Sequence, residues 1–91
     1  TSECLGKFVY EKRKQKFKRE EIDNIHAWIL EMREFGPTYI KNSIYWRDHA
    51  LTGNRFGQRA SSFSDSGRII YKHLKKEKLI IVLDITPDHR Y

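Results

Sequence analysis

Only one cysteine, Cys4, stands among the 91 residues, so an intramolecular disulfide cannot form and a secreted disulfide scaffold is excluded. Such sparing use of cysteine fits a reducing compartment. Long apolar runs are missing as well. The longest, Leu79–Leu83, falls far short of the ~20 residues that cross a bilayer, and no signal-peptide pattern opens the chain. An intracellular protein of the cytoplasm, nucleoid or nucleus is expected, with no membrane partner. The first residue is Thr1, which suggests a processed protein or a domain excised from a longer one. Phosphate-loop spacing is lacking: neither GxxxxGK[ST] nor GxGxxG occurs. Metal spacing is lacking too, since Cys4, His26, His49, His73 and His89 form no CxxC or HxxxH pair. No cofactor, metal or small-molecule substrate is expected. Asp48-His49 and the group Asp84, Asp88 and His89 are the only tight acid/histidine pairings, whereas metal-dependent nucleases bring several carboxylates together with a lysine. Capping and turns account for most of the acids, so the chain is not expected to be an enzyme.

What the chain has is positive charge and aromatic rings. Eighteen Lys and Arg against twelve Asp and Glu leave a net charge of +6, with aromatics at 13% of residues. A small domain with a real core is expected, and its charge favours a polyanionic partner, nucleic acid before an acidic protein. The opening stretch "KFVYEKRKQKFKREE" carries seven Lys or Arg between Lys7 and Arg19. Phe8, Val9, Tyr10 and Phe17 are threaded through it. Residues 1–18 therefore read as a basic arm or strand, with Lys12, Arg13 and Lys14 as phosphate contacts. With no repeat, low-complexity tract or linker, residues 19–91 read as one domain.

The helical period is clear from Arg19 to Phe35, where Ile22, Ile25, Ile29 and Met32 recur at three- and four-residue steps. Glu20, Glu21 and Asp23 suit its N-terminus, and Gly36-Pro37 ends it. Thr38 can cap a second helix, "TYIKNSIYWRDHAL", with Gly53 as terminator. The loop "TGNRFGQRASS" offers Arg55 and Arg59, with Phe56 as a buried-type anchor. Ser62 or Ser64 then caps a third helix, which keeps Ile70 and Leu74 inside and Arg68, Lys72, Lys75 and Lys76 outside. Leu79–Ile85 has the β-branched content of a strand, and Thr86-Pro87-Asp88 is a turn. Trp28, Tyr45 and Trp46 form either part of the core or an exposed aromatic patch for a second copy or a protein partner.

This order of strand, helix, helix, helix, strand and turn resembles the winged helix-turn-helix superfamily, and "IIYKHLKKEKLI" looks like its third helix running into the first wing strand. The resemblance implies an α+β fold: a three-helix winged helix-turn-helix with a small antiparallel β element. It also implies that the third helix reads the major groove of double-stranded DNA. By position, Ser61, Ser62, Ser64, Ser66, Arg68 and Lys72 are the base-reading candidates, although Lys72, Lys75 and Lys76, as point charges without a fixed fork, suit phosphate better. Arg55 and Arg59 would hold the backbone before the helix, and a wing at Pro87–Arg90 would add His89 and Arg90. The expected function is DNA binding in transcription control or a DNA-processing complex. The rivals are a winged-helix interaction module and RNA binding, the latter without an RNP1 stacking motif.

Overall fold

The computed structural model describes residues 17–87. Helix α1 spans Arg19–Phe35 and a short α2 spans Pro37–Asn42; strands β1 (His49–Ala50), β2 (Arg59–Ser62), β3 (Arg68–Leu74) and β4 (Leu79–Thr86) follow. The strands form one antiparallel sheet in sequence order, β1-β2-β3-β4. A bulge in the last hairpin pairs Ile70 with Asp84 but Tyr71 with Val82, leaving Leu83 as the extra residue.

Helix α1 forms where its period predicts. Glu21 Oε1 accepts the Lys18 backbone N–H at 2.9 Å, which satisfies a donor the helix cannot. Gly36 ends it at φ 90°, a conformation that only glycine adopts without strain. Ile25, Trp28 and Met32 are its buried stripe. They meet Ile40 of α2, Trp46, and Ile69, Tyr71, Ile80, Val82 and Ile85 of the sheet in the main core. Phe35, at the end of the helix, is exposed and packs on Tyr39 with ring centres 4.8 Å apart.

Alternation along β3 sends Ile69, Tyr71 and His73 toward the helices and Arg68, Ile70 and Lys72 to the other face. That second face has a small cluster of its own, Leu51, Ala60 and Ile70. A strand with apolar residues on both faces has no polar alternation. This is why "RIIYKHL" carries the i, i+4 pattern of a helix while being a strand.

The architecture corrects the three-helix winged-helix expectation. The second helix stops at Asn42 rather than Leu51. Ile44, Tyr45 and Trp46 are poor helix formers. Leaving the helix also lets Trp46 bury fully and its carbonyl accept the Ser62 N–H at 2.7 Å. The expected third helix is a hairpin: β2, a turn through Phe63–Gly67, and β3. Gly67 sits in that turn for lack of room: a Cβ there would run into the Phe63 ring and lie 2.7 Å from Ser64 Oγ. The strand at Leu79–Ile85 forms as expected, one residue longer. The arm at residues 1–18 lies almost entirely outside the described residues, as does most of the expected wing.

Candidate functional site

Asp48, just ahead of β1, is a hub of short hydrogen bonds on the helix side of the sheet. Its side chain is fully buried, and Oδ1 takes the Arg59 Nε–H at 2.6 Å. Oδ2 takes the hydroxyls of Ser61 and Tyr71, each at 2.6 Å. Behind Ser61, its Oγ accepts the Trp28 indole N–H at 3.0 Å. β-Pairing explains the convergence. Arg59 lies opposite Tyr71, and Ser61 opposite Ile69, so Arg59, Ser61 and Tyr71 point to one face and meet the carboxylate coming in from the edge. Bonds to a buried charge are shorter and stronger than neutral ones.

Burial pushes the Tyr71 hydroxyl well above its ordinary range, and the charge of Asp48 pushes it further. The unfolded phenol loses its proton near pH 10, while the folded state keeps it. Stability from this group is therefore complete below about pH 10 and declines as pH rises above it. Chemical denaturation between about pH 8 and pH 11 is expected to show a steeper loss in the wild type than in Tyr71→Phe. Parallel curves would contradict the assignment.

Beside this hub, Lys41 of α2 hydrogen-bonds the His73 ring, with Nζ 3.1 Å from Nδ1. Partial burial lowers the pKa of Lys41, and the nearby cations of Arg59 and Lys75 lower it further, with Asp48 opposing. For Arg59, burial works against the charge, but the hydrogen bond and charge of Asp48 outweigh it and raise its pKa.

The face away from the helices is different. Arg68, Ser62 and Thr86 form one cross-strand row; His49, Ala60, Ile70 and Asp84 form the next. Arg68 is only 8% exposed. Its Nη1 donates to the carbonyls of Ser64, Asp65 and Gly67 at 3.3, 3.2 and 2.8 Å. No carboxylate pairs with it among the described residues. None of their buried side-chain nitrogens lacks a hydrogen-bond partner, so the N–H groups of Arg68 that bond nothing keep contact with solvent. Exposed His49 lies 3.2 Å through Nδ1 from the Arg47 carbonyl. A carbonyl only accepts, so Nδ1 is the donor of this bond and Nε2 lies outside it.

The structure scatters the residues expected to line a DNA-reading helix. Ser61 is buried in the Asp48 hub, and Ser62 is buried on the other face. Ser64 Oγ accepts the Gly67 N–H at 2.8 Å, and Ser66 Oγ donates to the Pro87 carbonyl at 3.0 Å. Lys72 is exposed on the same face as Arg68, while Lys75 and Lys76 cap the β3–β4 hairpin. Arg59 serves Asp48, and Arg55 Nη1 donates to Gln58 Oε1 at 2.8 Å. Phe56, expected as an anchor, is 84% exposed. Lys12, Arg13, Lys14, His89 and Arg90 lie outside the described residues. Of the aromatic trio, Trp28 and Trp46 are core residues, and only Tyr45 is exposed. Trp46 Nε1 donates to Glu31 Oε1 at 2.9 Å.

Asp48, Lys41 and His73 were missed as a group because no short spacing joins them. The one available signal was "RIIYKHL" read at period two, which places Tyr71 and His73 on one side. No group of three or more His, Cys, Asp or Glu able to hold a metal ion occurs among the described residues. Nor is any helix among them long and apolar enough to cross a membrane.

No family model matches the chain, and no curated protein resembles it at a significant level. Solved structures do share its fold. YafQ from E. coli strain BL21(DE3) is 16% identical with a TM-score of 0.59, over 70% of this chain and 66% of that one. A YafQ mutant from E. coli is 18% identical with a TM-score of 0.59, over 81% and 71% of the two chains. A copper-bound mutant toxin from Helicobacter pylori is 24% identical with a TM-score of 0.55, over 72% and 67%. The chain thus spans about two thirds of the length of these neighbours. What they share with this chain is the fold, α+β with two helices on a four-stranded antiparallel sheet. This overturns the winged-helix resemblance. It also removes the ground for double-stranded DNA as partner and for transcription control, both of which rested on a groove-reading third helix. The likeness to these toxins overturns the expectation of no enzymatic activity, which rested on the scatter of the acids.

Proposed function

We propose that the protein is a toxin-type ribonuclease that acts on single-stranded RNA across the sheet face opposite the helices. The observation that carries this reading is Arg68. A nearly buried guanidinium tied to backbone carbonyls, with no carboxylate among the described residues to neutralise it, costs stability unless an anion arrives. A phosphate is the anion that a guanidinium fits, by two parallel N–H···O bonds. The net charge of +6 favours the approach of a polyanion. The likeness to YafQ and to the Helicobacter toxin adds a fold used for this chemistry.

RNA carries its own nucleophile, the 2′-hydroxyl, so the reaction needs no co-reactant. A base takes the 2′-hydroxyl proton, the 2′ oxygen attacks phosphorus, the P–O5′ bond breaks, and the departing 5′ oxygen takes up a proton. Arg68 would stabilise the charge that builds on the phosphoryl oxygens. His49, on the same face with Nε2 outside its bond to the Arg47 carbonyl, is the base we assign. The strand spacing puts the two about 12 Å apart at their Cα atoms, so they flank a nucleotide rather than share an oxygen.

The test is incubation with an unstructured RNA and the DNA of identical sequence, in the presence of a chelator. The expected result is RNA cut to 2′,3′-cyclic phosphate and 5′-hydroxyl ends, with DNA intact. Equal cleavage of both, or intact RNA, would overturn the proposal.

A further inference from the structure

We infer that Asn24, Tyr45, Arg47, Ser62 and Asp65 form a nucleobase pocket beside Arg68, at the edge of β2, that favours guanine. Under the ribonuclease reading above, on which this role rests, the pocket selects the base next to the cut phosphate.

The pocket is a cleft of about 170 Å³ bounded by Asn24 of α1, by Tyr45 and Arg47, and by residues 62–65. It exists because β1 pairs with β2 only through His49 and Ala50. Past Ala60 the outer edge of β2 is met by the preceding segment instead, where the Trp46 carbonyl accepts the Ser62 N–H. Two contacts set the cleft against Arg68. Ser62 lies directly opposite Arg68 on the same face of the sheet, and the Cβ atoms of such a pair are about 5 Å apart. The Arg68 guanidinium also bonds the carbonyls of Ser64 and Asp65, at 3.3 and 3.2 Å, and these two residues wall the cleft. A base attached beside a phosphate on Arg68 is therefore within reach of it.

The polar groups of the cleft are open. Ser62 is only 6% exposed, yet its Oγ bonds nothing among the described residues. No buried side-chain oxygen there lacks a partner, so this Oγ keeps contact with solvent, and the cleft is the opening it lines. Asn24 Nδ2 donates to the Phe63 carbonyl at 3.0 Å. That bond sets the amide's orientation and leaves Oδ1 as an acceptor. The exposed Arg47 guanidinium and Asp65 carboxylate enter no ion pair among the described residues.

Tyr45 supplies an aromatic wall. Its ring is 63% exposed and packs edge-to-face on buried Trp46, with centres 4.7 Å apart. Trp46 is itself tied to Glu31, so the exposed ring is braced from below. Rings of this kind stack the bases of single-stranded RNA. Arg47 takes φ 48°, a left-handed conformation that costs any residue with a side chain and costs glycine nothing. An arginine held there against that cost brings a five-donor fork to the cleft.

One cation and one carboxylate cancel, so the cleft suits a neutral ligand with both donors and acceptors rather than a second phosphate. Guanine fits that description. Its O6 and N7 accept from an arginine fork, while its ring and amino N–H groups suit the Asp65 carboxylate and Asn24 Oδ1. Adenine sets an amino group where guanine has O6, and would meet Arg47 donor against donor. Pyrimidines lack N7 and offer the fork a single acceptor.

The first experiment is NMR titration of the whole protein with guanosine and adenosine monophosphate, following the Tyr45 ring and the Asn24 amide, in the wild type and Arg47→Gly. Both nucleotides carry the same phosphate, so a difference between them reports the base. The wild type is expected to bind the guanosine nucleotide about tenfold more tightly, as a bidentate arginine contact implies. Arg47→Gly should lose this preference and melt no lower than the wild type, because glycine accepts the same backbone conformation. Equal affinities in the wild type, or a preference that survives in Arg47→Gly, would sink the pocket.

Cleavage of a random-sequence RNA supplies the second arm. The wild type should leave guanine enriched at one fixed position beside the cut, and Arg47→Gly should cut without that enrichment. If the guanosine nucleotide binds in the cleft but no RNA is cut, the ribonuclease reading fails and the base pocket stands. If both proteins cut with the same base bias, the ribonuclease reading stands and the pocket falls.

Discussion

Replacing Asp48 with alanine is expected to cost about 3–5 kcal/mol of folding stability, the range seen when one partner of a buried ion pair is removed. Small domains are stable by only about 5–15 kcal/mol, so the variant should melt far below the wild type or fail to fold. The loss has three parts. The Arg59 guanidinium keeps its charge in a partly buried place. The Ser61 and Tyr71 hydroxyls lose their acceptor inside the core. Trp28, whose indole leans on Ser61 Oγ, is loosened at the centre of the main cluster. Asp48→Asn is milder, at about 1–3 kcal/mol, since an amide offers one oxygen where two are used. Whichever way it turns, its NH2 group faces a position that needs an acceptor. Denaturant unfolding of both variants checks the order. An Asp48→Ala protein as stable as the wild type would mean that the hub does not hold the sheet edge.

The second large effect is on activity. Arg68→Ala is expected to slow RNA cleavage by about 10²–10³-fold, the loss that follows removal of a donor aimed at developing negative charge. Arg68→Lys should recover part of it, because charge remains but the fork that meets two phosphate oxygens does not. Arg68 also gathers the carbonyls of Ser64, Asp65 and Gly67, so its removal should cost some stability at the β2–β3 turn. Thermal melting and cleavage therefore need to be measured together. A variant that melts lower yet cleaves at the wild-type rate would reduce Arg68 to a loop tie.

How much of this was legible in the sequence depends on the segment. Helix α1 was, through the spacing of Ile25, Met32 and their neighbours and through Gly36-Pro37 at its end. Strand β4 was as well, since five apolar residues in a row from Leu79 are too few for a buried helix and rich in β-branching. The segment "SSFSDSGRIIYKHL" was not. Its Ile70 and Leu74 are four apart, as on a helix face, while Ile69, Tyr71 and His73 alternate, as on a strand. Both periods are present because the strand is covered on two sides. A local pattern cannot say that Trp28 will meet Tyr71 or that Leu51 will cover Ile70. The candidate site followed the same division. Arg68 was singled out for its charge but assigned to a helix, whereas its significance comes from a turn that encloses it and leaves it without a carboxylate among the described residues.

By itself, then, the sequence determined the size of the core, the absence of an internal disulfide, the long first helix, the last strand and a cationic surface suited to phosphate. These follow from composition and from periods that one element imposes on its own residues. Tertiary structure alone decided that the middle of the chain is a meander rather than a helix. It also decided that Asp48 gathers Arg59 and Ser61 from one strand and Tyr71 from the next, and that Lys41 meets His73. Such contacts join residues many positions apart, and their energies appear only once the sheet is paired and the helices are laid against it.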